Sequence, residues 1–256
     1  MRETILNTLK ELEQIHNIRI LYAVESGSRA WGFASADSDY DVRYIYIRKT
    51  EDYLRVNDLR DTIEGPLDET LDFSGWDIRK TLKLLCRCNP SLMEWYQSPI
   101  VYLTTDLWTM LAAHIPEFFH VRANMHHYLS MVLGNWNTYL KPSLEQVSAK
   151  KYLYVLRPLL CCRWLEQHGT VPPVLFDTLC KTVLPEELIS ATELLLQQKK
   201  HGEEKALIPR IPELDNFILA EIPRLKQIRE DLPPIPPLTY DTVNQYFRQL
   251  LKAAWE

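Results

Sequence analysis

Glycine is scarce in this chain, with seven in 256 residues. A residue without a Cβ is kept where the backbone must turn sharply or come close to something, so each place that retains one is informative. Cysteine offers little. The five are Cys86, Cys88, Cys161, Cys162 and Cys180, an odd number with no CxxC pair and no histidine pair at zinc spacing. That argues against a disulfide framework or a zinc module and for reduced thiols on helices. His126 and His127 are adjacent, and adjacent residues on a helix point about 100° apart, so they are not read as a shared metal site. Long apolar runs are also missing. No uninterrupted stretch approaches the ~18 residues of a membrane span, and MRETILNTLKELEQ has no apolar signal-peptide core. The expectation is a soluble, cytoplasmic protein without a membrane partner. Nor is there a basic excess, since the formal net charge is −5, so any nucleic-acid contact would need a local patch.

The patterning present divides the chain. Ile5, Leu9, Leu12 and Ile15 recur at helical spacing, so an amphipathic helix opens the fold. Residues 20–24 are a short apolar run suited to a strand buried on both faces. Tyr40 to Ile47 is rich in β-branched and aromatic residues, a second strand. The turn Gly65-Pro66-Leu67-Asp68 leads to a third, Thr70-Leu71-Asp72-Phe73. Ser74-Gly75-Trp76-Asp77 reads as a capping box opening a helix with Ile78, Leu82 and Leu85 on one face. Asn89-Pro90 ends that helix and starts another, and Ile100 to Leu103 is one more strand. From about residue 105 only helices are expected, over 117–140, 144–168 (Pro142-Ser143 with Gln146 as its start, Gly169 past its end), 186–200, 213–230 and 241–255. Leu232-Pro233-Pro234-Ile235-Pro236-Pro237 is a stiff connector. The expected fold class is α/β (α+β), a small mixed sheet flanked by helices over 1–110, followed by an all-helical domain over 111–256.

Two of the few glycines, Gly27 and Gly32, fall in "YAVESGSRAWGFASADSDYDVRYIYI", residues 22–47. On a strand, residues two apart share a face, so Asp39 and Asp41 project together, with Arg43 next along. Two carboxylates so close repel unless a cation lies between them. Magnesium prefers oxygen ligands and is held by one or two carboxylates plus substrate phosphates. Upstream, the buried strand runs into Ser26-Gly27-Ser28, where a glycine permits close backbone approach and a helix start presents free N–H groups suited to phosphate. A phosphate-binding turn and a metal-binding pair thus meet at the edge of neighbouring strands.

Gly27-Ser28, ten residues, then Asp39-Tyr40-Asp41 resembles the GS-x10-DxD signature of DNA polymerase β-like nucleotidyltransferases. The longer string "ESGSRAWGFASADSDYDVR", with "SGWDIRKTLKLL", "NPSLMEW" and "LRPLLCCRWL", is similar to the RlaP-type family, predicted nucleotidyltransferases associated with bacterial RNA-repair gene clusters. The resemblance covers roughly residues 20–165. It implies a nucleotidyltransferase core with a helical second domain closing the nucleotide cleft. It also implies a third carboxylate on a later strand in an apolar-acid-apolar setting. Leu71-Asp72-Phe73 fits that setting, whereas Asp77 already has a capping role, so Asp72 is taken; Asp61 and Glu64 are outside choices and Asp37 is read as solvated.

On the helix 144–168, Leu153, Leu156, Leu160 and Trp164 make a buried stripe. Lys150, Tyr154 and Arg157 share a different face at i, i+4 and i+7. The resemblance implies that a basic residue and a hydroxyl there reach the triphosphate, with Lys151 an alternative to Lys150. Arg29 and Arg43 flank the motif and are candidate phosphate contacts, Arg43 equally a neutraliser of the aspartates. Trp31, Trp76, Trp95 and Phe33 are read as core.

The function expected is transfer of a nucleoside monophosphate from an NTP, with pyrophosphate released. Gly27 and Ser28 grip phosphates, Asp39, Asp41 and Asp72 hold Mg²⁺ or Mn²⁺, and Asp72 serves the acceptor hydroxyl. The family association implies an RNA 3′ end as acceptor. The alternatives are a protein hydroxyl, as in antitoxin-type adenylyltransferases, and a non-catalytic nucleotide-binding sensor.

Overall fold

A computed structural model describes residues 1–65, 70–143, 145–201 and 207–255. They form two compact units, Met1–Ala30 with Asp39–Phe119 and Pro237–Glu256, and Trp31–Ser38 with His120–Pro236.

The first unit is built on a mixed sheet. Its elements are α1 (Arg2–His16), β1 (Arg19–Glu25), α2 (Gly27–Trp31), β2 (Tyr40–Ile47), α3 (Thr50–Tyr53), β3 (Thr62–Glu64) and β4 (Leu71–Asp77). These are followed by α4 (Ile78–Cys86), α5 (Pro90–Tyr96), β5 (Val101–Thr104) and α6 (Asp106–Ala112). The strand order is β3-β4-β2-β1-β5. Only β2 and β4 run parallel; the other pairs are antiparallel. Ile5, Leu9 and Leu12 of α1 pack on one sheet face with Val42, Tyr44, Tyr46, Leu71 and Phe73, each such side chain contributing roughly 1.5–3 kcal/mol by leaving water. Helix α4 packs on β2 and β4. Because side chains alternate along a strand, the odd positions of β2, Asp41 and Arg43, project from the face opposite Val42 and Tyr44.

The second unit is helical. It comprises α7 (Val121–Asn135), which runs into a π turn (Trp136–Leu140), then β6 (Gln146–Ser148), α8 (Ala149–His168), α9 (Phe176–Val183), α10 (Ile189–His201), β7 (Leu207–Pro209) and α11 (Pro212–Asp231). Helix α8 ends at Gly169, whose φ of 63° makes the left-handed cap expected there. The last helix, α12 (Asp241–Trp255), belongs to the first unit.

Several local expectations need correction. The Ser74–Asp77 stretch is not a cap preceding a helix: β4 continues through it, and Asp77 itself is the N-cap of α4, accepting from the Arg79 N–H at 2.7 Å. Helix α8 begins at Ala149, not 144, because Gln146–Ser148 pairs with Leu207–Pro209 as a two-stranded ribbon. The half expected to be only helical therefore carries two short strands. Ile15 is 73% exposed, outside the α1 stripe. Each compact unit is assembled from separate stretches of the chain. Helix α12 returns to the sheet unit because Val243, Leu250 and Ala254 are buried there, Tyr246 stacks on His114 and Phe247 packs on Tyr53. The turn expected at Gly65–Asp68 has its Pro66, Leu67 and Asp68 outside the described residues.

Candidate active site

Strands β2 and β4 lie parallel with Asp41 opposite Asp72, so the two carboxylates project side by side. One guanidinium joins them: an Arg43 nitrogen is 2.9 Å from Asp41 Oδ1 and 2.7 Å from Asp72 Oδ2. A second Arg43 nitrogen donates to the Asp72 carbonyl at 3.0 Å. The side chains are 29% (Asp41), 40% (Asp72) and 19% (Arg43) exposed, so the group opens to solvent rather than being sealed in the core. Charge-assisted bonds of this kind are strong, and Arg43 divides them between the two carboxylates.

The other oxygen of Asp41 occupies the space that a side chain at Gly27 would need. The Gly27 φ is +59°, and a Cβ built there would lie 2.0 Å from Asp41 Oδ2. Any side chain at this position would therefore collide with the carboxylate, and the left-handed backbone would be strained as well. Ser28 follows in the first turn of α2, half-buried. Arg29 ties α2 to the start of β2: its Nε donates to the Asp39 carbonyl at 3.0 Å and its guanidinium lies 3.7 Å from the centre of the Tyr40 ring. Asp39 is exposed, one residue before β2 begins.

Glu25 is the acidic residue at the site that sequence patterning passed over. It is 1% exposed at the end of β1. Its Oε1 accepts the Asp41 N–H at 2.8 Å, and Oε2 accepts the Tyr102 hydroxyl. Burial pushes its carboxyl above the usual glutamate value, against the opposing pull of those two hydrogen bonds. In the sequence only its place directly before Ser26-Gly27-Ser28 distinguishes it.

The competing acid, Asp77, has a structural setting. It caps α4, accepts from the Tyr53 hydroxyl at 2.9 Å and lies 3.8 Å from Arg48. Burial raises its carboxyl above the ordinary aspartate value. Asp61 pairs with Lys80 at 3.1 Å, and Glu64 is exposed on β3. Trp76 and Trp95 stack on each other 3.8 Å apart.

In the helical unit, Tyr154 is flanked by two lysines, the Lys150 and Lys151 ammonium groups lying 5.7 Å and 5.4 Å from its ring centre. Lys151 also lies 3.8 Å from the ring of Tyr139. Arg157 is not on a solvated face with them. It is 2% exposed, its guanidinium lies 4.4 Å from the centre of the Trp31 ring, and it donates to the Val174 carbonyl at 3.3 Å. The cause is that α8 is buried nearly all round between 152 and 162, so the i+7 position falls inside.

Among the described residues no three His, Cys, Asp or Glu side chains converge as a metal-binding group. Asp41 and Asp72 nonetheless suit a hard divalent cation: both offer carboxylate oxygens, and a positive group already lies between them. Magnesium commonly takes one or two carboxylates and completes its shell with water and substrate phosphates. Among the described residues no helix is long and apolar enough to cross a membrane.

The candidate site thus lies on β2 and β4 of a five-stranded mixed sheet flanked by helices. The chain belongs to the RNA repair pathway DNA polymerase beta family, RlaP, which it matches over residues 1–249. Its membership places the protein among nucleotidyltransferases. The Bacillus subtilis (strain 168) protein YcgL, described as uncharacterized, is 42% identical over 258 residues, spanning 100% of this chain and 98% of YcgL. A crystal structure of a nucleotidyltransferase-like protein from Exiguobacterium sibiricum 255-15 aligns with 98% of this chain and 80% of its own. Its identity is 11% and its TM-score 0.33, too loose a likeness to argue from.

Proposed function

We propose that the protein transfers a nucleoside monophosphate from an NTP to a hydroxyl acceptor, an RNA 3′ end, and releases pyrophosphate. The observation that carries this is the Asp41–Asp72 pair beside the Gly27 backbone, in a chain that matches the family over nearly its whole length. The acceptor oxygen forms a bond to the α-phosphorus while the bond from that phosphorus to the bridging oxygen breaks, and the electrons leave with pyrophosphate. Asp72 receives the acceptor's proton. Asp39, Asp41 and Asp72 would hold Mg²⁺ or Mn²⁺, which when bound supplies charge stabilisation to the attacking and leaving oxygens. The Ser28 hydroxyl and the Gly27 backbone bind phosphate oxygens, and Arg29 and Arg43 add positive charge at the same edge. Such transfer needs positioning and electrostatics, so no nucleophilic side chain is required. Lys150, Lys151 and Tyr154 form a cationic cluster of the helical unit, of a chemistry that suits phosphate.

The family's RNA-repair description supports RNA as the acceptor. The test is to incubate the protein with each α-labelled NTP, Mg²⁺ or Mn²⁺, cellular RNA and cell lysate, and to follow the label. Label at RNA 3′ ends is the expected outcome. Label in a protein band would move the acceptor to a protein hydroxyl, and nucleotide binding without any transfer would make the protein a sensor.

A further inference from the structure

After a bulge between Ile20 and Tyr22, the antiparallel ladder of β1 and β2 is regular from Tyr22 opposite Ile45 to Glu25 opposite Val42. One step further, Ser26 and Asp41 form a pair that would ordinarily exchange two backbone hydrogen bonds. Only one is made, from the Ser26 N–H to the Asp41 carbonyl at 2.8 Å. The reciprocal acceptor has turned away: the Ser26 carbonyl accepts from the Ala30 N–H of α2 at 3.5 Å. The Asp41 N–H instead donates to Glu25 Oε1 at 2.8 Å.

An enclosed carboxylate is costly to bury unless its oxygens are hydrogen-bonded. A leucine could fill the same space without that cost but could not accept the Asp41 N–H. Glu25 has donors on both oxygens and is braced from the β5 side, by the Tyr102 hydroxyl on the carboxylate and by the Ser98 hydroxyl on its carbonyl at 2.6 Å.

We propose that Glu25 is a positioning residue for Asp41: its carboxylate replaces the ladder carbonyl lost when the chain turns at Ser26-Gly27. The backbone is thereby free to bend into α2 and bring Gly27 against the Asp41 carboxylate, while Asp41 keeps its place on β2. The inference rests on the reading of Asp41 as a metal-binding carboxylate.

Two readouts test it: hydrogen exchange at the Asp41 amide, which needs no metal, and Mn²⁺ affinity by electron paramagnetic resonance. Glu25→Ala is expected to speed Asp41 exchange, leave Tyr44 exchange unchanged, and weaken Mn²⁺ binding about tenfold, as loss of an outer-shell partner does. Glu25→Gln is expected to stay within about threefold of wild type, as an outer-shell partner is retained: its amide oxygen still accepts the Asp41 N–H, and its NH₂ can donate to Tyr102. Should Glu25→Ala not fold, Tyr102→Phe removes one brace and is expected to give a smaller shift in the same direction. Wild-type exchange and affinity in the variant that folds, or Glu25→Gln as damaging as Glu25→Ala, would overturn the proposal. Asp41→Ala separates the two claims. If it binds Mn²⁺ like wild type, the metal reading fails, and the exchange data alone decide whether Glu25 holds Asp41.

Discussion

Two arginine–carboxylate clusters, one in each unit, use the same chemistry in opposite ways. In the helical unit Arg224 binds Glu166 through two bonds, at 2.6 and 2.7 Å, and also reaches Glu221, which Arg163 contacts at 3.0 Å. Two cations face two anions, and the charge is matched. Burial works against the charged form of Glu221, but the hydrogen bonds from Arg224 and Arg163 outweigh it and hold its carboxyl below the usual range. On the sheet, the Arg43 guanidinium is shared by Asp41 and Asp72, and the buried Glu25 beside the turn accepts from the Asp41 N–H and the Tyr102 hydroxyl. In the helical cluster each carboxylate has an arginine of its own, Glu221 is nearly buried at 9% exposure, and the group serves stability. In the sheet cluster two carboxylates share the Arg43 guanidinium side by side and open to solvent, so their mutual repulsion favours a cation placed between them.

Breaking the sheet cluster is expected to have the largest effect. Asp41→Ala or Asp72→Ala should reduce transfer by at least about 100-fold, because loss of several kcal/mol of transition-state charge stabilisation has that consequence. Circular dichroism should show the fold intact. Next comes Gly27→Ala, where the new methyl meets Asp41 Oδ2 and the positive φ adds roughly 1–2 kcal/mol of backbone strain. Transfer should fall about tenfold and the melting temperature should drop, both measurable on one preparation.

The helical cluster should respond in stability and not in chemistry. Glu221→Gln leaves Arg163 and Arg224 short of an anion and should cost about 2 kcal/mol in denaturant unfolding, the scale of a lost hydrogen bond between charged groups. Because Glu221 is held below its ordinary value of 4.5, its contribution is complete above that pH and is lost as pH falls through the lower folded-state value. Wild type should therefore lose this increment in acid, and Glu221→Gln should flatten that part of the pH profile. The smallest effect expected is from Arg43→Gln, which frees the two aspartates from their shared guanidinium. Without metal the protein should be less stable by about 1 kcal/mol, and added Mn²⁺ should raise its melting temperature more than that of wild type.

How far these clusters were legible in the sequence depended on how local their signals are. The limits of β2 follow from a β-branched and aromatic run, and Gly27-Ser28 before Asp39-Tyr40-Asp41 can be read within twenty residues. Asp72 was suggested by its apolar neighbours, and the pairing of β2 with β4 puts it opposite Asp41. Glu25 could not be assigned its place in this way. A single acid at a strand end resembles any solvated terminus, and its partner Tyr102 lies 77 residues away. The Ser74–Asp77 pattern misled because a serine three residues before an acid also occurs inside a strand. Helical spacing put Arg157 on a face with Lys150 and Tyr154, and Tyr154 and Arg157 do both pack on Trp31, but spacing alone could not show that Arg157 is buried there. The β6–β7 ribbon, three residues on each side, is too short to show a period.

The most direct test of the contrast between the two clusters is pyrophosphate release at saturating NTP. It would compare wild type, the Asp41→Ala/Asp72→Ala double variant and Glu221→Gln, all well below their melting temperatures. The double variant should lose at least about 100-fold, while Glu221→Gln should stay within about twofold of wild type, as a change remote from the chemistry does. Release surviving in the double variant, or falling equally in both, would contradict the assignment of chemistry to the sheet cluster.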